Sequence, residues 1–251
     1  MISHKLSIFL NILTLIILGI SIILNLSLYR KAKYYYLESN SFRLDPIGLN
    51  NYPITIDQRT NKNQTRVVFF GDSRAFSWIS PEINNYEFIN RGIGGQTSLQ
   101  TSSRFAYHVN SLQPDIIIIQ IGINDLKMIG LFPDRRDEIV ANCKKNIQRI
   151  VEDTRKIGAV AIVTTIFPVG EVPIQRQPFW SDDITKAVKE VNAYIATLAG
   201  EKTLIFDAFK LLADNQGIIL SEYKDDELHL NTKGYILLNQ NLVPLLQNIK
   251  K

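Results

Sequence analysis

An apolar run, Val67-Val68-Phe69-Phe70, stops at Gly71 and is followed at once by Asp72, Ser73 and Arg74. Gly-Asp-Ser is ordinary turn chemistry. It is also what would lift a serine to the carboxyl edge of a parallel sheet, where α/β folds place their ligands. A serine hydroxyl is a weak nucleophile at neutral pH and needs a base, most often a histidine held by a third group. The chain has 3 histidines, and only one is well placed to serve. His4 precedes a long apolar segment, and His108 lies in "RFAYHVNSL", a stretch of helical spacing where packing or surface exposure accounts for it. His229 closes Asp226-Glu227-Leu228-His229, a spacing that lets the carboxylate turn back onto the imidazole and fix its tautomer. Asp225 is a rival to Asp226, disfavoured by its distance along the chain from His229.

Other chemistries fit less well. Gly92-Ile93-Gly94-Gly95-Gln96-Thr97 has threonine where a dinucleotide fingerprint needs its third glycine, and it follows the second strand-like run rather than the first. There is no phosphate loop of the GxxxxGKS/T type and no GxSxG elbow. The histidines form no HExxH pair, and the single cysteine, Cys143, has no CxxC partner and sits in an amphipathic stretch where packing explains it. No metal and no cofactor is expected.

The elements that must position these residues alternate regularly from residue 66 onward. Short β-branched or aromatic runs at 66–71, 86–92, 115–122, 159–166 and 203–209 are separated by helical spacing at 97–112, 136–157 and 181–198, with a last helix near 232–249. Near-continuous apolar strands alternating with helices predict a parallel sheet covered on both faces. Gly71-Asp72-Ser73, "NRGIGGQTS", "GINDL" and "DDELHLN" then fall after strands or before the last helix, along one edge of that sheet.

Taken in order, Gly71-Asp72-Ser73, Asn90-x-Gly92-Ile93-x-Gly95, Gly122-x-Asn124-Asp125 and Asp226-x-x-His229-Leu230-Asn231 resemble the four sequence blocks of the SGNH hydrolases, also called the GDSL esterase/lipase family. Each block alone is common, and the four in order over about residues 66–249 form a specific pattern. The resemblance implies a flavodoxin-like three-layer α/β/α fold with a five-stranded parallel sheet, and ester hydrolysis through an acyl-serine. It implies Ser73 as nucleophile, His229 as general base and then acid, and Asp226 as the carboxylate that orients it. The implied oxyanion hole combines the backbone N–H groups of Ser73 and Gly95 with the side-chain amide of Asn124. Asp72, Asn90 and Asp125 are then expected to shape turns and support their neighbours. The departure is Arg74, where the family's name has leucine. An arginine at the mouth of the site would favour an anionic substrate, and a solvated arginine or one paired with Asp225 is the plainer expectation. The loop 167–180, rich in proline and aromatics, is the expected substrate-side wall.

The chain of 251 residues, 45% hydrophobic, is long enough for one full core plus extras. Lys+Arg number 28 against 24 Asp+Glu, and the excess is spread rather than gathered in a basic stripe, so no nucleic-acid partner is expected. Residues 6–29 carry no charged side chain, and as a helix they would span roughly 36 Å at ~1.5 Å per residue, enough to cross a bilayer. A cleavable signal has a shorter core followed by small residues, whereas "YRKAKYYY" follows here. The expected organisation is therefore a tail at 1–5, a transmembrane anchor at 6–29, a connector at 30–65 and a hydrolase domain at 66–251. Within the connector, "FRLDPIGL" can lie against the domain and "DQRTNKNQT" is expected to form an exposed bridge. Arg30, Lys31 and Lys33 outnumber Lys5 and the terminal amine, which favours a cytoplasmic domain. Resemblance to exported esterases with apolar N-terminal segments favours an extracytoplasmic one, and that is the expectation adopted. The function expected is a membrane-anchored serine esterase acting on a lysophospholipid acyl chain or a glycan O-acetyl group. The alternatives are acyl transfer by the same triad and a catalytically silent anchored binding domain.

Overall fold

The computed structural model describes residues 2–52 and 63–249, which fall in two compact units, Met1–Pro46 and Ile47–Lys251. The first unit is a single helix, α1 (Ile2–Leu44). It continues past the uncharged run at 6–29 into residues expected to belong to the connector. Residues 30–44 contain no glycine or proline and include good helix formers, so nothing in them stops a helix already nucleated upstream. Asn40 and Ser41 bond back to the carbonyls of Tyr36 and Glu38, and Pro46 disfavours helical backbone in the residue before it. The second unit begins at Ile47, so residues 47–52 of the expected connector belong to the globular unit. The bridge expected at 57–65 lies mostly outside the described residues.

In the second unit, β1 (Thr65–Gly71) leads into the single turn α2 (Ser73–Phe76), then β2 (Tyr86–Gly92), α3 (Ser98–Ser103) and α4 (Phe105–Val109). Next come β3 (Ile116–Gln120), the turn α5 (Ile123–Leu126), α6 (Arg136–Lys156), β4 (Val160–Thr164) and α7 (Asp182–Ala196). The chain ends with β5 (Thr203–Phe206), α8 (Ala208–Leu212) and α9 (Thr232–Gln247). The five strands form one parallel sheet in the order β2-β1-β3-β4-β5. This is the flavodoxin-like order that the resemblance implied.

Alternation along the strands makes the three layers. Val68, Phe70, Ile117, Ile119, Ala161 and Val163 point into a core closed by α4, α5, α6 and α7. Val67, Phe69, Ile116, Ile118 and Ile162 point the other way, into a core closed by Trp78, α8 and α9. Both faces of the central strands are therefore dry, which is why their sequences read as continuous apolar runs. Cys143 is buried in the first core, and burial pushes its thiol pKa well up, in keeping with packing. The expected single helix at 97–112 is instead broken at Arg104, whose backbone leaves helical values (φ −97°, ψ 3°) while its guanidinium turns inward onto the carbonyls of Gly71 and Arg91.

Candidate active site

The order reverses between β1 and β3, and the crevice at their carboxyl ends is where such sheets bind ligands. Gly71 ends β1 at φ +158°, and a Cβ there would fall 1.7 Å from the carbonyl oxygen of Gln120 on β3. That close approach lets the chain turn sharply into α2. Asp72 caps the turn, its Oδ1 accepting the Arg74 N–H at 2.8 Å, and Ser73 is the first helical residue. Gly92 plays a matching part on β2: a Cβ would meet the Phe76 nitrogen at 2.2 Å, so α2 can press directly on the strand. Asn90 fastens the same junction, donating to the Ala75 carbonyl at 2.8 Å and accepting from the Gly92 N–H at 2.8 Å.

The turn before α9 brings His229 to the same crevice. Asp226 Oδ1 accepts the backbone N–H groups of Leu228 (2.7 Å) and His229 (2.8 Å), which folds the carboxylate back under the imidazole. His229 Nδ1 then lies 2.8 Å from Asp226 Oδ2, and its Nε2 lies 2.9 Å from Ser73 Oγ. With Nδ1–H donated to the carboxylate, Nε2 keeps its lone pair toward the serine. Burial raises the Asp226 pKa, but the hydrogen bonds from the His229 side chain and the two backbone N–H groups outweigh it and leave the group below its ordinary value. Asp225 plays a different part: its backbone N–H closes the turn on the His229 carbonyl at 3.0 Å, and the carboxylate on the imidazole is that of Asp226.

The residues expected to form the oxyanion hole lie on two neighbouring segments, the loop after β2 and the turn α5. Gly95 is exposed with φ +75°, and the Cβ position of its neighbour Gly94 lies 4.0 Å from Ser73 Cβ. Asn124, buried in α5, donates one amide hydrogen to the Gln96 carbonyl at 3.0 Å, which ties the β3 edge to the loop that carries Gly95. Asp125 accepts the Ser98 N–H (2.7 Å) and hydroxyl (2.6 Å), locking α5 to α3, and burial lifts its pKa to about 6. Burial also lifts Asp72 to about 6, although the Arg74 guanidinium opposes it. The arrangement can deprotonate a serine, hold an imidazolium against a carboxylate, and offer donors to a developing oxyanion.

Arg74 corrects the sequence reading. It is completely buried rather than at the mouth of the site, so it is not available to an anionic substrate. Its Nε donates to the Leu228 carbonyl at 2.8 Å and its Nη1 to the Phe167 carbonyl at 3.2 Å, and the guanidinium rests 5.1 Å from the Phe167 ring. Its acidic neighbours are Asp72 and, more weakly, Asp226, rather than Asp225. The residue after Ser73 thus points inward, where it braces the turn that carries His229. His108 is buried between Arg104 and the Leu49 carbonyl, far from a catalytic duty. The sequence reading missed Gln96, Arg104 and Glu227. Glu227, buried beside Asp226, ion-pairs with Arg176 and so fastens the 167–180 loop to the base turn. A lone arginine inside an apolar helical stretch was the available signal for Arg104.

A family model for the GDSL-like Lipase/Acylhydrolase family matches residues 69–237, which spans all four blocks. The chain belongs to that family. Its five-stranded parallel sheet is the fold of similar GDSL-like structures. The GDSL-like lipase of Bacteroides thetaiotaomicron has a similar structure, with a TM-score of 0.62 at 22% identity over 82% of this chain and 97% of that one. An acetyl-xylooligosaccharide esterase from Geobacillus stearmophilus has a TM-score of 0.56 at 18% identity, covering 76% of this chain and 98% of that one. An uncharacterized lipoprotein of Bacillus subtilis, YqeF, is 29% identical over 122 residues, 42% of this chain. The match spans about half of that relative, 49% of its length.

Proposed function

We propose that the protein is a membrane-anchored serine esterase that hydrolyses a carboxylic ester through an acyl-serine intermediate. The observation that carries this reading is the continuous line from Asp226 to His229 Nδ1, and from Nε2 to Ser73 Oγ, at 2.8 Å and 2.9 Å. Ser73 Oγ attacks the ester carbonyl as His229 Nε2 takes its proton, and the oxyanion is held by the N–H groups of Ser73 and Gly95 and by the amide of Asn124. His229 returns the proton to the departing alcohol. The same nitrogen then activates water against the acyl-serine. The side chains of His229 and Asp226 are 34% and 42% exposed, so water can reach the base for the second step.

Two substrate classes fit an anchored esterase, a glycan O-acetyl group and a lysophospholipid acyl chain, and the likeness to an acetyl-xylooligosaccharide esterase supports the first. The uncharged run at residues 6–29 within α1 supports a single-pass anchor, and the lipoprotein relative supports association with a membrane. We place the catalytic unit on the extracytoplasmic side, where such esters are plentiful. The reading is tested with the full chain in detergent against p-nitrophenyl esters from acetate to palmitate, an O-acetylated oligosaccharide and a lysophospholipid. Turnover of at least one carboxylic ester, abolished by Ser73→Ala, is the expected result. Turnover that survives Ser73→Ala, or none on any ester, contradicts it.

A further inference from the structure

Residues 47–52 belong to the catalytic unit although they precede β1 and lie outside the span that matches the family. They grip the loop 92–96 at both ends. At its start, the Tyr52 hydroxyl donates to the Gly92 carbonyl, while the Tyr52 ring lies 4.7 Å from the Arg91 guanidinium and edge-on to His108 at 5.5 Å. At its end, Gln96 Nε2 donates to the Ile47 carbonyl at 2.8 Å. Gly48, at φ +75°, allows this approach, since a Cβ there would stand 2.9 Å from Gln96 Nε2.

The frame behind these contacts is buried and polar. Arg104 Nε donates to Gln96 Oε1, and its two Nη atoms donate to the carbonyls of Arg91 and Gly71, each at 2.9 Å. His108 Nδ1 accepts from Arg104 at 3.2 Å and its Nε2 donates to the Leu49 carbonyl at 3.1 Å, a pattern that fits one neutral tautomer. Arg104 and His108 therefore link residues 47–52 to both ends of the loop and to the end of β1. Between the two gripped ends stand Gly94 and Gly95, both exposed, and a Cβ on Gly95 would meet nothing within 4 Å. Two successive glycines have wide conformational freedom. A donor to an oxyanion accelerates the reaction only when it is aimed before charge develops.

We propose that residues 47–52 form a strap that aims the Gly95 N–H, with Tyr52 as a positioning residue for the oxyanion loop. The proposal rests on the reading of Gly95 as an oxyanion donor. A strap of this kind acts on the transition state, so its loss lowers kcat and leaves KM nearly unchanged. Tyr52→Phe removes the hydroxyl and keeps the ring against Arg91 and His108; Tyr52→Ala removes both. Both are made in the full chain in detergent and compared on p-nitrophenyl acetate, by melting temperature, and by the rate at which a fluorophosphonate modifies Ser73, whose phosphonyl oxygen uses the same donors.

For Tyr52→Phe, kcat falls about tenfold, short of the ~10²–10³-fold expected for outright loss of a donor, and KM changes by less than about twofold. Phosphonylation slows in parallel while the melting temperature of Tyr52→Phe stays near that of the unsubstituted chain. An unchanged kcat in Tyr52→Phe overturns the strap, as does a loss of kcat that merely follows a fall in melting temperature. Should Tyr52→Ala fail to fold, Tyr52→Phe still decides. Failure of the functional reading looks different: activity then persists in Ser73→Ala, whatever Tyr52 does.

Discussion

Ser73 and His229 meet across 156 positions of chain because two short turns, each capped by its own aspartate, face each other over the end of β1. The two aspartates differ in environment. Asp226 is half exposed and charged beside an imidazole, whereas Asp72 is buried with one oxygen, Oδ2, that has no partner among the described residues. Burial raises Asp72 to about 6 from an ordinary 3.8, so the folded state holds the proton more tightly than the unfolded one. Between those two values the unfolded chain has released its proton and the folded chain has not. Stability from this group is therefore present at the acid end and is lost as pH rises toward 6 and beyond. Asp72→Asn keeps an oxygen for the Arg74 N–H and carries no charge. Its melting temperature relative to the unsubstituted protein should rise steadily from pH 4 to pH 7, as differential scanning fluorimetry can follow, and a difference that stays constant with pH contradicts the assignment. The candidate triad was legible because the sequence has one histidine in a suitable block and a carboxylate three residues before it. Arg74 was misread because a residue's depth depends on which way a one-turn helix points, and nothing local in "GDSRAF" records that.

At the scale of elements, all five strands were legible, since a sheet buried on both faces writes itself as apolar runs, though β3, β4 and β5 end two to three residues earlier than those runs. Long amphipathic helices such as α6 and α7 were equally plain, with Ser181 capping α7 by accepting the Asp183 N–H. The stretch 97–112 was not, because its break comes from Arg104 reaching for carbonyls on β1 and β2, a tertiary cause that outweighs helical spacing. The extension of α1 to Leu44 was missed for the opposite reason: polar residues were read as connector although none of them breaks a helix. The junction of β1 and β3 yields a prediction of its own. A methyl on Gly71 has to occupy space 1.7 Å from the Gln120 carbonyl, so Gly71→Ala must part the two central strands or shift the Ser73 turn. The variant should lose several degrees of melting temperature together with most of its activity, and an active variant of unchanged stability would show that the strands are less closely joined than described. By contrast, Gly95→Ala meets nothing within 4 Å and is strained only by its positive φ.

The whole molecule joins an apolar helix to a GDSL-type hydrolase unit. Among the described residues, α1 is the one helix long and apolar enough to cross a membrane. Insertion of such a helix does not depend on screened surface charge. The protein should therefore stay with the membrane fraction through washes with high salt and with alkaline carbonate, and release by either wash would make α1 something other than an anchor. Protease added to intact cells should degrade the catalytic unit if it faces outward; protection until the membrane is permeabilised would place it in the cytoplasm and leave its chemistry untouched. That chemistry is the central claim, and covalent capture tests it most directly. The full chain in its native membrane is treated with a fluorophosphonate, digested, and searched by mass spectrometry for the modified serine, beside the His229→Ala variant. The adduct is predicted on Ser73 and is predicted to form far more slowly without the His229 imidazole. An adduct on another serine, or modification of Ser73 at an undiminished rate in His229→Ala, would contradict the account.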